Sequence, residues 1–155
     1  MKHIQLTQDQ FAIVDDEDFE WLSQVKWFAW WNRCTRSFYA GRQIRLPNGK
    51  QTMVQMHRAI LGVRRGDKQQ VDHVNHGTLD NRRANIRIVT HGENQQNTRC
   101  KGYSWNKVSQ QYVAYITVDR VRKHLGYHNS PMDAHVAYLF AKAVYHQTAP
   151  LVVMV

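Results

Sequence analysis

The spacing of apolar and polar positions changes several times along this chain, and each change marks an element. Behind the acidic run Asp15-Asp16-Glu17-Asp18, the residues Phe19, Leu22 and Val25 recur three apart. That spacing predicts a short amphipathic helix whose carboxylates sit favourably at its start. Trp27, Phe28, Trp30 and Trp31 follow and are expected to pack in the core against a sheet. Over residues 37–46 the pattern alternates, with Phe38, Ala40, Ile44 and Leu46 on one parity and Tyr39, Gln43 and Arg45 on the other. A strand is expected there, with Arg42 breaking the alternation. Pro47-Asn48-Gly49-Lys50 signals a turn that returns residues 51–56 as a second strand. His57-Arg58-Ala59-Ile60-Leu61 reads as a short helix stopped by Gly62. Arg33, Arg36, Arg42, Arg45 and Lys50 would decorate this hairpin, either to meet phosphates or as a solvated face.

Further on, residues 70–74 and 86–90 read as two short strands around a polar loop, 75–85, rich in Asn, Asp, Gly and Arg. The next stretch is polar, and Glu93, Asn94 and Asn97 share one helical face. This strand–loop–strand–helix unit has almost no core of its own and must lean on its neighbours. Residues 102–105, 112–118 and 122–127 are three strand candidates separated by polar turns. Ser130-Pro131-Met132-Asp133 predicts a helix start, with a Ser cap, Pro at the first position and an acid at the third. Ala134, Ala137, Tyr138, Ala141, Val144 and Tyr145 then make a small-residue stripe suited to lying on a sheet. The expected class is α+β in three segments without linkers: a β-rich segment 1–66, a middle unit 67–100, and a three-stranded antiparallel sheet packed on one helix in 101–155. The tail 151–155 reads as a final strand or a disordered end.

Composition narrows the class. The chain has 155 residues, with 21 Lys and Arg against 12 Asp and Glu, nine His and a net charge of +9. Half of the acids and a single base, Lys2, precede Trp21, so nearly all the basic surplus lies beyond it. Such a surplus suits a polyanionic partner held by counterion release, or simply a soluble basic surface. Cys34 and Cys100 lie far apart and form no Cys-x-x-Cys pair, which disfavours a cysteine zinc site or a disulfide scaffold. No apolar run is long enough to span a bilayer, and the N-terminus lacks the apolar core of a secretory signal.

The stretch VDHVNHGTLDNRRANIRIVTHGENQQN, from Val71 to Asn97, resembles the HNH motif. That motif is the ββα-metal nuclease unit of phage- and intron-borne homing endonucleases. LTQDQFAIVDDEDFEWLSQ and MHRAILG resemble the leader of such enzymes. KGYSW, YVAYITV, RKHLGYH and the helix through Ala134 and Ala141 resemble the plant APETALA/ethylene-response-factor DNA-binding domain. The resemblance implies a phosphodiester hydrolase that cuts double-stranded DNA, in a cytoplasmic setting, bacterial or phage-infected. In it Asp72 and Asn94 would hold one divalent ion, Mg²⁺ or Mn²⁺, while His73 acts as general base and Asn85 holds the loop. The chemistry agrees. A hard cation prefers oxygen ligands and keeps places for phosphate and water, and an imidazole titrates where a water-activating base should. On a strand, Asp72 and His73 point to opposite faces, so a twist or bulge is expected to bring both to one phosphate. His76 and His91 are expected at the surface or on phosphate.

The second resemblance implies that the C-terminal sheet enters the major groove. Ala114, Ile116 and Val118 would face the helix, whereas Val113, Tyr115 and Thr117 would face DNA, joined by Arg122 and His124 and by Ser104 and Asn106. Arg122 suits a bidentate guanine contact, and Lys101, Lys107 and Lys123 suit phosphates, with Arg87 a further DNA contact. Ser, Asn, Tyr, Thr and His stand where the plant domain has Arg and Trp, so the plant target does not carry over. A monomer with one site would nick one strand, and a double-strand cut would need a dimer or two events. The rivals are a non-catalytic DNA-binding regulator on the same scaffold and a basic RNA-binding protein, the latter without an RNP-like aromatic signature.

Overall fold

The computed structural model describes residues 1–98 and 100–146 of an α+β chain that falls into two units, Met1–His91 and Gly92–Val155. The expected tail strand, 151–155, lies outside the described residues.

In the first unit, β1 (Lys2–Gln5) and β2 (Phe11–Val14) form an antiparallel hairpin that the sequence pattern does not announce. Its strands are only four residues long, and its turn places Gln8 and Asp9 at φ 59 and 53 without a glycine. Ile4, Ala12 and Val14 point inward from it. Next comes α1 (Asp16–Ser23), which buries Leu22 completely. The Asp15 side chain does not cap this helix; its Oδ2 accepts the backbone N–H of Arg83 at 2.8 Å. Strands β3 (Phe28–Asn32), β4 (Ser37–Arg45) and β5 (Gln51–Gln55) make an antiparallel sheet in that order, and α2 (Met56–Ile60) follows. Gly62, at φ +68, ends the helix as expected. Only part of the tryptophan cluster is core. Trp27 is buried and donates to the Leu22 carbonyl at 2.9 Å, whereas Trp31, near the end of β3, is 46% exposed against Phe38. Arg42 breaks the alternation because its guanidinium lies over the Trp27 ring, 5.3 Å from the centroid, rather than among solvent-facing charges.

A two-stranded antiparallel ladder, β6 (Gln70–His73) and β7 (Ile86–Val89), completes the unit. Ile86 belongs to the same core as Ile4, Leu22, Trp27 and Met56, with Val71 and Leu79 packed against it. The two strands of the middle segment therefore lean on residues 1–66, whereas its residues from Gly92 on fall in the second unit. Burying Leu22 and Met56 contributes about 1.5–3 kcal/mol each.

The second unit follows from α3 (His91–Gln96), whose first residue closes the first unit. Strands β8 (Tyr103–Asn106), β9 (Gln111–Val118) and β10 (Val121–His128) form an antiparallel sheet with β9 in the centre. Helix α4 (Pro131–Tyr145) packs on one face, where Ile116 meets Tyr138 and Ala141 and Ala114 is fully buried. Its start is the one the sequence announces: Ser130 Oγ accepts the Asp133 N–H at 3.1 Å, and Pro131 opens the helix. Gly102, at φ +72, lies so close to Tyr138 that a Cβ would come within 1.9 Å of the ring. Among the described residues, no helix is long and apolar enough to cross a membrane.

Candidate active site

Strands β6 and β7 pair without a bulge, with Asp72 opposite Arg87 and His73 opposite Ile86. Consecutive strand residues project to opposite faces, and no irregularity in this register turns Asp72 and His73 to one side. Both are buried. Asp72 shares its face with Arg87, whose Nη2 and Nε donate to Oδ2 at 3.0 and 3.3 Å. Arg87, expected on DNA, is here the ion-pair partner of the expected metal ligand.

His73 ends β6 on the other face, among rings. Its centroid lies 4.8 Å from that of His57 with 75° between planes, and 6.0 Å from that of Tyr39. Its Nε2 stands 3.3 Å from Asn81 Oδ1. Burial pushes the His73 pKa down, against the Asn81 bond and the charges of Asp72 and Asp80, which favour the protonated ring. The imidazole is thus neutral at pH 7, the form that accepts a proton. Burial takes His57 further, to about 3, helped by the His73 and Arg58 charges, and its Nδ1 is buried with no hydrogen-bond partner.

The loop between the strands is closed by Asn85. Its Oδ1 accepts the Asn75 N–H at 2.9 Å, its Nδ2 donates to the Asp80 carbonyl at 2.7 Å, and its own carbonyl accepts the Val74 N–H at 2.8 Å. The first and last turns of the loop are thereby tied to one buried amide. Two carboxylates anchor the rest. Asp80 receives Arg82 Nε and Nη2, both at 2.7 Å, and this bonding holds its pKa below the usual carboxylate range. Asp18, buried in α1, receives Arg83 Nε and Nη2 at 2.9 and 2.8 Å. Arg82, Arg83 and Arg87 are therefore engaged with carboxylates. His76 takes a left-handed φ of 62 in the loop, and exposed His91 pairs with Gln70 at 3.2 Å.

Pattern reading did not find His57, Tyr39 or Asn81. His57 looked like one polar residue of a five-residue helix, Tyr39 like the outward parity of a strand, and Asn81 like loop filler. In each case the signal was tertiary: the outward face of β4 carries the Tyr39 ring to His57 and His73. A cavity of about 560 Å³ in the first unit, lined by His3, Leu6, Phe19 and Trp27 among others, includes neither Asp72 nor His73.

Asn94 lies on α3 in the second unit and is half-buried. Among the described residues, no three or more of His, Cys, Asp and Glu come together to hold a metal ion. A cage built wholly from those side chains is therefore not what the described residues offer. One carboxylate and one amide suit instead a hard cation that keeps most of its shell as water and phosphate.

On the C-terminal sheet, pairing fixes the face that points away from α4. Ser104 sits opposite Val113, His124 opposite Tyr115, and Arg122 opposite Thr117, with Asn106 opposite Gln111. These positions alternate with buried Ala114 and Ile116, so they share the open face. The Arg122 guanidinium lies 3.5 Å above the Tyr115 ring. A bulge between His124 and Gly126 brings Tyr127 onto the same face, opposite Val113. Lys123 departs from expectation: it pairs with Ile116, so it points to the helix side, and its Nζ lies 4.1 Å from the Tyr145 ring. Lys101 and Lys107 flank β8 and are exposed, and the Lys101 carbonyl meets His135 Nδ1 at 2.8 Å. Comparison of the chain with family models, with curated proteins and with solved structures finds no match in any of the three.

Proposed function

We propose that this protein is a metal-dependent DNA endonuclease of the HNH type, nicking a phosphodiester bond of double-stranded DNA that the C-terminal sheet reads. The observation that supports it most is the buried imidazole of His73, next in sequence to a buried carboxylate and beside a loop closed by Asn85. His73 removes a proton from the attacking water, and its depressed pKa keeps it competent below pH 6.5. Asp72 and Asn94 would hold one divalent ion, Mg²⁺ or Mn²⁺, which when bound supplies charge stabilisation at the scissile phosphate and leaving oxygen. Arg87 holds the Asp72 carboxylate in place between turnovers. Arg122, His124, Tyr115, Thr117, Ser104 and Asn106 present the open sheet face to the bases, and Lys101 and Lys107 add phosphate contacts.

One observation favours the rival reading, a DNA-binding regulator without catalysis: the Asp72 carboxylate is already neutralised by a guanidinium. Supercoiled plasmid with Mg²⁺ or Mn²⁺ separates the two. Nicking by the wild type that His73→Ala lowers by about 100-fold or more, with DNA affinity within about twofold, supports the enzyme. Binding without metal-dependent nicking by the wild type overturns it.

A further inference from the structure

We propose that the outer face of α4 is an interface through which two copies of this chain pair. The helix distributes its apolar residues in the reverse of the usual order. Its sheet-facing side uses Ala134, Tyr138 and Ala141, all buried, and two of these three are small. Its outer side carries larger apolar residues. Met132, Val136, Phe140 and Val144 recur every four positions and are 68%, 41%, 72% and 62% exposed. Val144, expected on the sheet, belongs to this outer row. A surface helix turns polar and charged residues to the side away from its sheet, and a helix that is apolar all round is covered all round. Contiguous exposed apolar residues mark an interaction surface, whereas single ones do not.

Size and shape select a second copy as the occupant. Residues four apart form a ridge on a helix, and two such ridges interdigitate when the helices cross near −50°. With the helices antiparallel about a two-fold axis, the row matches itself. Val136 lies against the partner's Phe140, Met132 lies against the partner's Val144, and the axis repeats both contacts. Each smaller residue thus meets a larger one. The outer row and its flanks offer roughly 500 Å² per copy, so the pair buries about 1,000 Å², the lower limit for a specific interface. None of the four residues is charged, and Asp133, the one acid of the helix, is exposed beside the row, so pairing buries no ion without a counter-charge. Each copy carries a net charge of +9, which opposes pairing and is screened by salt. The contact should therefore tighten as salt rises, the reverse of binding to DNA.

Sedimentation equilibrium of the full-length protein tests the proposal. The wild type should pass from monomer to dimer between about 1 and about 100 μM, as an interface of this size allows. Raising salt from about 0.1 to about 0.5 M should shift it further toward dimer. Phe140→Asp should raise the dissociation constant by at least about 30-fold, because the axis places this side chain in the interface twice. Val121→Asp, a change at an equally exposed apolar residue on β10, should leave it within about twofold. If Phe140→Asp does not fold, Val144→Asp and the wild-type concentration series decide. A wild type that stays monomeric throughout overturns the proposal, as does a dimer that Phe140→Asp and Val144→Asp leave intact. Two other results overturn it by naming a different occupant. A monomer that dimerises only after residues 147–155 are removed assigns the face to the same chain. A monomer that binds vesicles of phosphatidylcholine and phosphatidylglycerol through Phe140 assigns it to a lipid surface. The inference stands apart from the nuclease reading, since a protein that pairs and does not nick DNA overturns that reading alone.

Discussion

The two units handle polar residues in opposite ways. In the first, Asp18, His57, Asp72, His73, Asp80, Asn81 and Asn85 are all buried, held by hydrogen bonds, ion pairs and ring contacts. In the second, the polar residues of the sheet stand mainly on its open face, and a small apolar contact joins sheet and helix, with Asn97 and His146 the buried polar residues among those described. A buried polar cluster fixes side chains before any ligand arrives, at the expense of desolvating them. An open polar face leaves its donors in water until a partner displaces it. The first arrangement suits chemistry on one bond, and the second suits recognition of an extended surface.

The largest effect that could break this contrast is the response of the first unit to acid. A histidine is protonated below about 6.5 in the unfolded chain, whereas His57 resists protonation in the folded one until about 3. Between those values the unfolded state binds the extra proton. Stability contributed by neutral His57 is complete above pH 6.5 and is lost as pH falls toward 3, by about 1.4 kcal/mol per pH unit. Buried His73 adds to the loss with the same sign. Urea unfolding at pH 7 and pH 4.5 should therefore show the wild type losing about 2–3 kcal/mol more than His57→Phe. Equal losses would mean that the imidazole is solvated and the buried cluster is not closed.

An effect of similar size is expected from the apolar contact of the second unit. Gly102→Ala places a methyl group against the Tyr138 ring and asks a non-glycine residue to hold φ near +72. The two costs together come to about 2–4 kcal/mol. Hydrogen exchange should report faster opening of β9 amides while β6 and β7 amides are unchanged. Uniform protection in both variant and wild type would show that the sheet–helix contact tolerates displacement.

Much of this was legible in the chain and some was not, for identifiable reasons. The 37–46 alternation, the turn at Asn48-Gly49 and the Ser130-Pro131 start each carry their signal within a few neighbouring residues, and β4, β5 and α4 form there. The β1–β2 hairpin escaped because its left-handed turn uses Gln8 and Asp9 rather than glycine or asparagine. At the site, Asp72, His73 and Asn85 could be singled out because their neighbours make a motif. Tyr39, His57 and Asn81 meet His73 across 34, 16 and 8 residues of sequence, and only the folded chain brings them together. Charge misled most. Arg42 lies on Trp27 and Arg83 on Asp18, so neither is part of a free basic surface.

Charge also gives the smallest effect and the sharpest test of the open face. Arg122 and Lys123 are adjacent, both exposed and both cationic, so attraction by net charge alone predicts the same loss of DNA affinity when either becomes alanine. Their orientations predict otherwise. Arg122 stacks flat on Tyr115, 3.5 Å above the ring, which leaves the guanidinium edge free to address a base or phosphate on the open face. Lys123 points to the α4 side and sits over Tyr145. On a mixed-sequence duplex, Arg122→Ala should weaken binding by about 1–2 kcal/mol at a given salt concentration and, across a salt series, flatten the dependence on salt. Lys123→Ala should stay within about 0.3 kcal/mol of wild type, because a charge on the far side is largely screened over one Debye length of about 10 Å. Equal losses would remove the sheet face as the DNA surface. A larger loss at Lys123 would move the surface to the helix side.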